Sequence, residues 1–536
     1  MAEFQASSFW NEKQSSRGKH LDEIRRTIKP IKGSLTRYII DTRTLIDGER
    51  LKREAFGEKD KRKPHKTILM VGETGTGKST LINAIVNHML NVKCNDRIWC
   101  EIIETKESQT KSQTNAVTVY DVFVEESPFS LSIIDTPGYG DTKGTKKDLI
   151  IAETLHELFR SKDGVHEVDA VCFVVSSNTT RLTDRQLYVF DSILSLFSND
   201  VERNIVVLIT HAPKNPTNAL KAIKESKVRC AKNDDGKPVY FSFDNSHCED
   251  FHNDDDDQTE DEEEYNKLAW DKNKKNMKNF FAFLNDCKTV SLKMTESVLR
   301  LRKQLTASIN NLKDRIQLSE LRKKEFQQTK AALEEHEKEM KDNNNFEFVV
   351  DEAYKEKIPI ESKWWHLSKE ATCCRVCEEN CHYPGCWWVR DLSQCSVMSN
   401  GKCTACTGRC DHSYHIKERK IYVLKTRKVT KTKEDLKRKY EKESGEIMSL
   451  IRILENEIKL NEREKTRLVE ECYQCVVTLE DIALNTDSAS TLHHLDFLIE
   501  KVNETGKPER VQKLQELKKR AEAANEGLLN MLENLY

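Results

Sequence analysis

Residues 68–84 limit what this chain can fold into more than any other segment. An apolar run, Ile68–Val71, precedes a glycine loop that fits G-x-x-x-x-G-K-[ST], and a helix-like segment follows it. Glycine allows backbone conformations that a Cβ would forbid, so that successive N–H groups can surround a phosphate at a helix N-terminus. The residues expected to contact the nucleotide are Gly72, Glu73, Thr74, Gly75, Thr76, Gly77, Lys78, Ser79 and Thr80. The segment therefore predicts a site for a nucleoside triphosphate.

Composition bounds the remaining architecture. The chain has 536 residues, of which 33% are charged, so we expect three or four domains with long solvated helices. Lys and Arg number 87 against 89 Asp and Glu, and this balance gives no reason to expect nucleic-acid binding. We see no apolar signal segment, no transmembrane run and no lipidation motif, and Ala2 stands where myristoylation needs glycine. We therefore expect a cytoplasmic protein.

An α/β pattern extends from 67 to 288, where apolar strands alternate with helix-period segments. The predicted strands are Thr67–Val71, Ala116–Val124, Leu131–Asp135, Ala170–Ser176, Ile205–Thr210 and Val239–Phe243. Such alternation predicts a mostly parallel sheet with helices on both faces, here a P-loop G domain. Residues 1–66 are interpreted as an extension and linker.

Magnesium and γ-phosphate contacts are expected at the strand ends, because ligands of open α/β sheets bind there. Lys78 can reach the β- and γ-phosphates, and the Ser79 hydroxyl can ligate Mg²⁺. Asp135 follows a strand and can hold the Mg²⁺ shell, while the N–H of Gly138 can contact the γ-phosphate. Between the P-loop and this element, Thr114 is the expected switch residue on Mg²⁺, with Thr110 as its rival.

The base-reading end departs from the commonest G-protein pattern. Thr210-His211-Ala212-Pro213 stands where an Asn/Thr-Lys-x-Asp element is expected, and no Asp is present there to accept the guanine N–H groups. After the next strand comes Phe241-Ser242-Phe243-Asp244-Asn245. The missing Asp leaves adenine nucleotides open as the ligand.

Taken together, these motifs resemble those of the septin-like GTPases, and most closely the immunity-associated and plastid-import receptor GTPases. The resemblance covers residues 66–288 and includes Asp135-Thr136-Pro137-Gly138-Tyr139 and Thr210-His211-Ala212. It implies that His211 packs on or bonds the base and that Asn245 contacts guanine, although His211 can also be read as an ordinary loop residue. It also implies slow hydrolysis, with nucleotide-dependent dimers or oligomers.

The sequence independently places Tyr139, not Gln, after the Asp135–Gly138 element, where Gln would orient the attacking water. We therefore expect GTP and GDP as ligands and a slow, assembly-coupled GTPase acting as a switch. The alternative is a non-hydrolysing nucleotide-binding scaffold that recruits partner proteins through its zinc and coiled-coil regions.

Helical periodicity marks the chain on either side of a cysteine-rich region. Residues 289–345 and 433–536 carry apolar residues at three-, four- and seven-residue steps, which predicts helices paired as a coiled-coil stalk. The acidic run at 249–264 is interpreted as a solvated surface loop.

Residues 346–432 are predicted to form a β-ribbon that carries a Cys/His-rich zinc module. The spacing C-x₂-C-x₃-C-x₄-[CH] occurs twice, 29 residues apart. Tetrahedral Zn²⁺ takes four S or N ligands, so the simplest assignment is two closed sites. These are Cys374, Cys377, Cys381 and Cys386, then Cys403, Cys406, Cys410 and His415. Cys373, His382, Cys395 and His412 remain outside this pairing, which leaves interleaved or shared ligation open.

Overall fold

The computed structural model describes most of the chain. It covers residues 20–21, 23–24, 36–104, 116–138, 145–213, 215–226, 228–246, 260–335, 347–360, 370–383, 385–386, 389–432, 435, 447–485 and 489–533. Within these ranges, none of the helices combines the length and the apolar character that crossing a bilayer requires.

The chain is divided into two compact units. The first contains residues 1–296, 483–485 and 526–536, and the second contains 297–482 and 486–525.

A mostly parallel eight-stranded sheet forms the centre of the first unit. Its strands in chain order are β2 (Arg43–Asp47), β3 (Leu51–Phe56), β4 (His65–Gly72), β6 (Val117–Val122), β7 (Ser130–Asp135), β9 (Ala170–Ser176), β10 (Ile205–Thr210) and β11 (Tyr240–Ser242). The spatial order is β11-β10-β9-β4-β7-β6-β3-β2. Only the pairs β6–β7 and β2–β3 are antiparallel within it. The predicted sheet is confirmed, and every predicted strand is present.

Shorter strands and helices complete the first unit. The strands are β1 (Thr36–Ile39), β5 (Ile98–Glu101), β8 (Glu167–Val168) and β12 (Val290–Ser291). The helices are α1 (Lys78–Met89), α2 (Thr145–Arg160), α3 (Asp184–Leu194), α4 (Thr217–Glu225) and α5 (Glu260–Asp286).

Helices cover both faces of the sheet, as β9 shows. Alternate residues of a strand face opposite sides. Cys172 and Val174 belong to the same buried cluster as the apolar residues of α1 and α5. Phe173, between them, contacts Phe190 of α3 with ring centroids 4.7 Å apart. Burial on both faces explains why these strands read as continuous apolar runs.

The sheet also includes two strands, β2 and β3, from residues 1–66. From the sequence alone, that segment is interpreted as an extension and linker. Strand β3 pairs in parallel with β6, and β2 adds to its outer edge. Arg53 anchors this edge, because its Nε lies 2.7 Å from Oδ2 of the buried Asp121 on β6. Five of the eleven residues in β2 and β3 are charged, so their sequence lacks the apolar signal of the central strands.

The second unit combines helices with a long ribbon. Its helices are α6 (Lys293–Glu335, which starts in the first unit), α7 (Ile447–Ile482), α8 (Ala489–Asn503) and α9 (Pro508–Glu533). The ribbon consists of β13 (Glu347–Pro359) and β19 (Lys420–Thr432), which are antiparallel in unbroken register from Glu347↔Thr432 to Pro359↔Lys420. The predicted ribbon and helices are therefore present, while the coiled-coil pairing stays a prediction.

Small strands between the two arms of the ribbon build the cysteine-rich region. They are β14 (Ala371–Cys374), β15 (Glu379–His382), β16 (Met398–Ser399), β17 (Lys402–Cys403) and β18 (His415–Glu418). Strand β14 pairs with both β15 and β18. The acidic run lies elsewhere: its last residues, Glu260–Glu264, begin α5 and are not a loop, whereas 249–259 lie outside the described residues.

Candidate functional site

The P-loop has the strand–loop–helix geometry that its sequence predicts. Strand β4 ends at Gly72 and α1 begins at Lys78. Gly75 and Gly77 have φ values of 83° and 79°, a left-handed conformation that a residue with a Cβ adopts only with strain. Gly72 is close to strand β9, since a Cβ there would lie 2.6 Å from the carbonyl oxygen of Val174. Each of the three glycines is therefore needed by the backbone.

Hydrogen bonds hold this loop in one conformation. The buried Lys78 Nζ donates to the carbonyl oxygens of Gly72 at 2.9 Å and Glu73 at 3.1 Å. At the other end of the loop, Thr210 Oγ1 donates to the carbonyl of Thr76 at 2.7 Å. Sequence reasoning missed Thr210, because a threonine at the end of a strand carries no distinctive signal.

Asp135 and Gly138, the residues predicted to contact Mg²⁺ and the γ-phosphate, lie beside the P-loop and its strand. Asp135 is fully buried and pairs in register with Met70 of the P-loop strand. Thr136 Oγ1 donates to the carbonyl of Met70 at 2.9 Å. A Cβ on Gly138 would lie 2.8 Å from the Cα of Thr74 and closer still to its Oγ1. The structure thus brings this element into contact with the P-loop.

The two predicted switch candidates, Thr114 and Thr110, lie outside the described residues. The segment that leads toward them is anchored before it leaves the described range. Asn83 of α1 accepts hydrogen bonds from the N–H groups of Ile102 and Ile103, both at 3.0 Å, and donates to the carbonyl of Ile103 at 2.9 Å. The assignment of Thr114, or of its rival Thr110, as a Mg²⁺ ligand stays a prediction.

The loops that carry His211 and Asn245 lie at the same sheet edge as the P-loop. His211 has a φ of 50°, and a Cβ on Gly77 would lie 3.4 Å from its Nε2, so the imidazole is beside the start of α1. The N–H of Ala212 donates to the carbonyl of Phe243 at 3.0 Å, which joins the His211 loop to the loop that contains Asn245. Both predicted base contacts are therefore on hydrogen-bonded neighbouring loops.

Helix α5 supports both loops through residues that sequence reasoning missed. Asn273 Nδ2 donates to Oδ1 of Asn245 at 3.0 Å, and its Oδ1 accepts from the N–H of Asp244 at 2.7 Å. Lys272 Nζ donates to the carbonyls of Ala212 at 2.8 Å and Pro213 at 2.9 Å. A signal for Asn273 exists in the sequence: it occupies a core position among apolar residues at helical spacing. These are Ala269, Met277, Phe280 and Leu284.

A second candidate site is a set of cysteine and histidine clusters in the ribbon module. Three groups have ligand atoms within 4.8 Å of one another. They are Cys374, Cys377, Cys406 and Cys410; Cys381, Cys403, Cys406 and His415; and His382, Cys386 and Cys395. The grouping differs from the one predicted by the repeat, because β14, β15 and β18 bring the two halves of the repeat together. His382 and Cys395 enter a cluster, whereas Cys373 and His412 do not.

The clusters suit a thiophilic metal such as zinc. Sγ of Cys377 lies 3.7 Å from Sγ of Cys410, close to the edge of about 3.8 Å that a tetrahedron with 2.3 Å Zn–S bonds requires. Backbone N–H groups point at the sulfurs, for example from Cys410 to Cys406 at 3.3 Å. Hydrogen bonds with Cys377, Cys381 and Cys403 hold the pKa of Cys406 well below that of an ordinary thiol, so its thiolate is favoured.

His415 has the orientation of a metal ligand. Its Nδ1 lies 2.9 Å from the carbonyl oxygen of Asp411, to which an Nδ1–H tautomer donates. Its Nε2 is buried and has no hydrogen-bond partner among the described residues. Metal-bound histidines commonly donate their other N–H to a carbonyl in this way. The residues present therefore fit a zinc ion, and the buried imidazole nitrogen gains a partner when the metal is bound.

Comparison with known proteins agrees with the motifs. Residues 66–269 match the model of the AIG1 family. Septin-1 of Drosophila melanogaster is 35% identical over 75 residues, which are 14% of this chain and 19% of that protein. Immune-associated nucleotide-binding protein 13 of Arabidopsis thaliana is 27% identical over 150 residues, 28% of this chain and 39% of that protein.

A solved structure of Toc33 from Arabidopsis thaliana with Mg²⁺ and GMPPNP is 17% identical, with a TM-score of 0.29. The match covers 43% of this chain and 89% of Toc33. The chain spans less than half the length of the curated relatives named above. The predicted resemblance is confirmed within these limits: residues 66–269 of this chain match the AIG1 family, and septins are among its relatives.

Proposed function

We propose that this chain is a GTP-binding switch protein with slow, assembly-coupled GTP hydrolysis. Lys78 contacts the β- and γ-phosphates when nucleotide is bound, and Ser79, Thr114 and Asp135 hold Mg²⁺ directly or through water. Mg²⁺ supplies charge neutralisation between the phosphates. The P-loop glycines supply backbone N–H groups to the same phosphates. The strand–loop–helix geometry and the buried carboxylate of Asp135 beside β4 support this division of roles.

The contact of Gly138 with Thr74 carries the switch part of this proposal. A γ-phosphate held by the P-loop would attract the N–H of Gly138, which lies beside that loop. Loss of the γ-phosphate removes this attraction. The P-loop and the element after β7 are already in van der Waals contact, so a small displacement at one changes the packing of the other.

Guanine is the proposed base because His211 and Asn245 lie on hydrogen-bonded loops supported by α5. His211 packs on or bonds the base, and the side-chain amide of Asn245 contacts it. Adenine nucleotide is the competing ligand, since no Asp follows His211 at the usual guanine-reading position.

Single-turnover phosphate release from purified protein loaded with GTP tests the hydrolysis. We expect release at about 10⁻⁴ to 10⁻² per second, with a rate that rises as protein concentration favours self-association. The resemblance to septin-like GTPases supports such nucleotide-dependent dimers or oligomers. Absence of phosphate release at every protein concentration supports the alternative, a scaffold that holds intact GTP, for which Tyr139 at the usual glutamine position is the motivating observation.

The cysteine-rich module is proposed to bind zinc as a structural metal and to present the ribbon to partner proteins. Its small core consists largely of cysteine side chains, so metal ligation stabilises a region with little apolar area to bury. A cytoplasmic location accords with this role, because a reducing compartment keeps the thiols available for metal. Removal of zinc by a chelator should unfold this module, which circular dichroism and limited proteolysis can follow.

A further inference from the structure

The cysteine-rich module contains one more cluster than the repeat in its sequence predicts. We propose that it holds three metal ions. Two share the thiolate of Cys406, and a third is bound by His382, Cys386 and Cys395. This inference rests on the proposed zinc binding and adds to it the number of ions, a shared ligand and a site outside the repeat.

Cys406 belongs to both four-membered groups. Its ligand atom lies within 4.8 Å of those of Cys374, Cys377 and Cys410, and equally of those of Cys381, Cys403 and His415. A single sulfur can bind two metal ions because a thiolate has more than one lone pair. Sharing it gives each ion four ligands from the seven residues of the two groups. The two ions therefore form a pair bridged by Cys406.

Buried hydrogen bonds fix the loop that carries Cys406. The carboxylate of Glu379, only 4% exposed, accepts from the N–H of Thr407 at 2.8 Å and from its hydroxyl at 2.6 Å. Arg315 Nε donates to the same carboxylate at 2.8 Å. Gly408 is also required here, since a Cβ would lie 3.0 Å from Sγ of Cys410 and 3.1 Å from Sγ of Cys377. The shared ligand is therefore held in place by the protein and not by the metal alone.

Cationic side chains lie close to the bridged pair of zinc ions and its thiolates. Its six cysteines release their protons to solvent on binding, so six thiolates and two Zn²⁺ ions leave a net charge of −2. Cationic groups lie beside it: Lys355 Nζ donates to the carbonyl of Cys377 at 3.1 Å, and Arg467 donates to the carbonyl of Thr407 at 2.7 Å. These contacts partly offset the negative charge of the pair.

The third cluster has the dimensions of a zinc site. Nδ1 of His382 lies 3.3 Å from Sγ of Cys395 and 3.5 Å from Sγ of Cys386. A tetrahedron with Zn–N and Zn–S bonds of about 2.0 and 2.3 Å has an S···N edge of about 3.5 Å. All three residues are buried, and two thiolates with one neutral imidazole balance the charge of Zn²⁺. The site therefore buries no net charge. The fourth coordination position of the zinc ion is left for water or another ligand.

Elemental analysis of the full chain, combined with ¹¹³Cd NMR after exchange of zinc for cadmium, tests this inference. We expect three ions per chain and three cadmium signals, two of them split by mutual coupling through the sulfur of Cys406. Two ions per chain, or three signals without mutual splitting, would overturn the inference and leave zinc binding intact. Absence of bound metal would overturn the proposed zinc binding as well.

Variants assign the signals to sites. His382→Ala should reduce the metal content from three ions to two and leave the coupled pair of signals in place. Cys373→Ser is the matched control, because Cys373 is a buried cysteine in the same strand as Cys374 but belongs to no cluster of the described residues. It should keep three ions. If the His382→Ala chain folds but loses the two coupled cadmium signals, the third site is not separate from the bridged pair. If that variant fails to fold, the wild-type spectrum alone decides.

Discussion

Gly138 packs against Thr74 so closely that no larger residue fits between the phosphate loop and the element after β7. A Cβ on Gly138 would lie 2.8 Å from the Cα of Thr74, a distance that side chains do not tolerate against backbone. This contact joins the residue proposed to sense a γ-phosphate to the loop proposed to hold it.

Replacement of Gly138 by alanine should weaken the response to the γ-phosphate. The added methyl group pushes the sensing element away from the P-loop, so we expect affinity for a non-hydrolysable GTP analogue to fall at least tenfold, about 1.4 kcal/mol. GDP affinity should change less. Titration calorimetry with both nucleotides measures the difference. Gly236→Asn is the control, because nothing lies within 4 Å of a Cβ there and asparagine tolerates its φ of 71°. Equal losses for both nucleotides would contradict a sensing role.

Replacement of Lys78 by alanine should remove nucleotide binding and leave the fold intact. The ammonium group is the proposed direct partner of the phosphates, so we expect at least a hundredfold loss of GTP affinity, about 2.7 kcal/mol. Fluorescent-nucleotide titration measures the affinity, and circular dichroism checks the fold. Lys221→Ala is the matched control, since that lysine is exposed on α4 and pairs only loosely with Glu225 at 3.8 Å. An unchanged affinity in the Lys78 variant would refute the assignment of the site.

Asn273 should determine base selectivity without touching the base. Its replacement by alanine removes hydrogen bonds to Asp244 and Asn245, and we expect the preference for GTP over ATP to fall about tenfold. Stability should fall by about 1–3 kcal/mol, because the N–H of Asp244 is buried and loses its partner. Competition of ATP against labelled GTP measures the preference. Asn276→Ala, which removes a bond to the Ser242 carbonyl, serves as control and should keep it. An unchanged preference in the Asn273 variant would show that α5 supports the fold alone.

The pair formed by His20 and Glu126 should make stability depend on pH. The hydrogen bond with Glu126, 3.0 Å from Nδ1 to Oε2, raises the pKa of His20 above its ordinary value of 6.5, although burial opposes this. His20 therefore binds its proton more tightly in the folded state than in the unfolded state. Its stabilisation is fully present below pH 6.5 and is lost as the pH rises through the raised pKa.

Denaturant unfolding at pH 6 and at pH 9 measures this contribution. Wild-type protein should lose about 0.5–1 kcal/mol more than Glu126→Gln between the two pH values, a range that allows for the partial exposure of the pair. Glu58→Gln, at an exposed position, should behave like wild type. The same pH dependence in wild type and Glu126→Gln would contradict the assignment.

The sequence predicted the central strands closely and missed the edge of the sheet. Ala170–Ser176 and Ile205–Thr210 have the bounds that their apolar runs predicted, because strands buried on both faces carry their own signal. Strand β3 carries Lys, Arg and Glu and pairs with β6, and β2 adds to the outer side of β3, so pairing and not an apolar sequence makes them strands. Tertiary context, not local composition, decided their structure.

The sites show the same division. Lys78, Asp135 and Gly138 could be assigned because phosphate chemistry requires those residue types at fixed spacing. The core position of Asn273 in α5 indicates burial, but the sequence does not show the hydrogen bonds that this residue makes to Asp244 and Asn245. The cysteines were recognised, yet a linear repeat does not say which turns lie together. Pairing of β14 with both β15 and β18 mixed the two halves of the repeat.

The nucleotide that the purified full-length protein retains tests the central claim most directly. Released nucleotide is separated by chromatography and compared with guanine and adenine standards, with the protein concentration measured on the same sample. We expect a guanine nucleotide, with GDP in excess of GTP, because a slow GTPase retains its product in the site. An adenine nucleotide in that site would contradict the assignment of His211 and Asn245 as the residues that contact guanine.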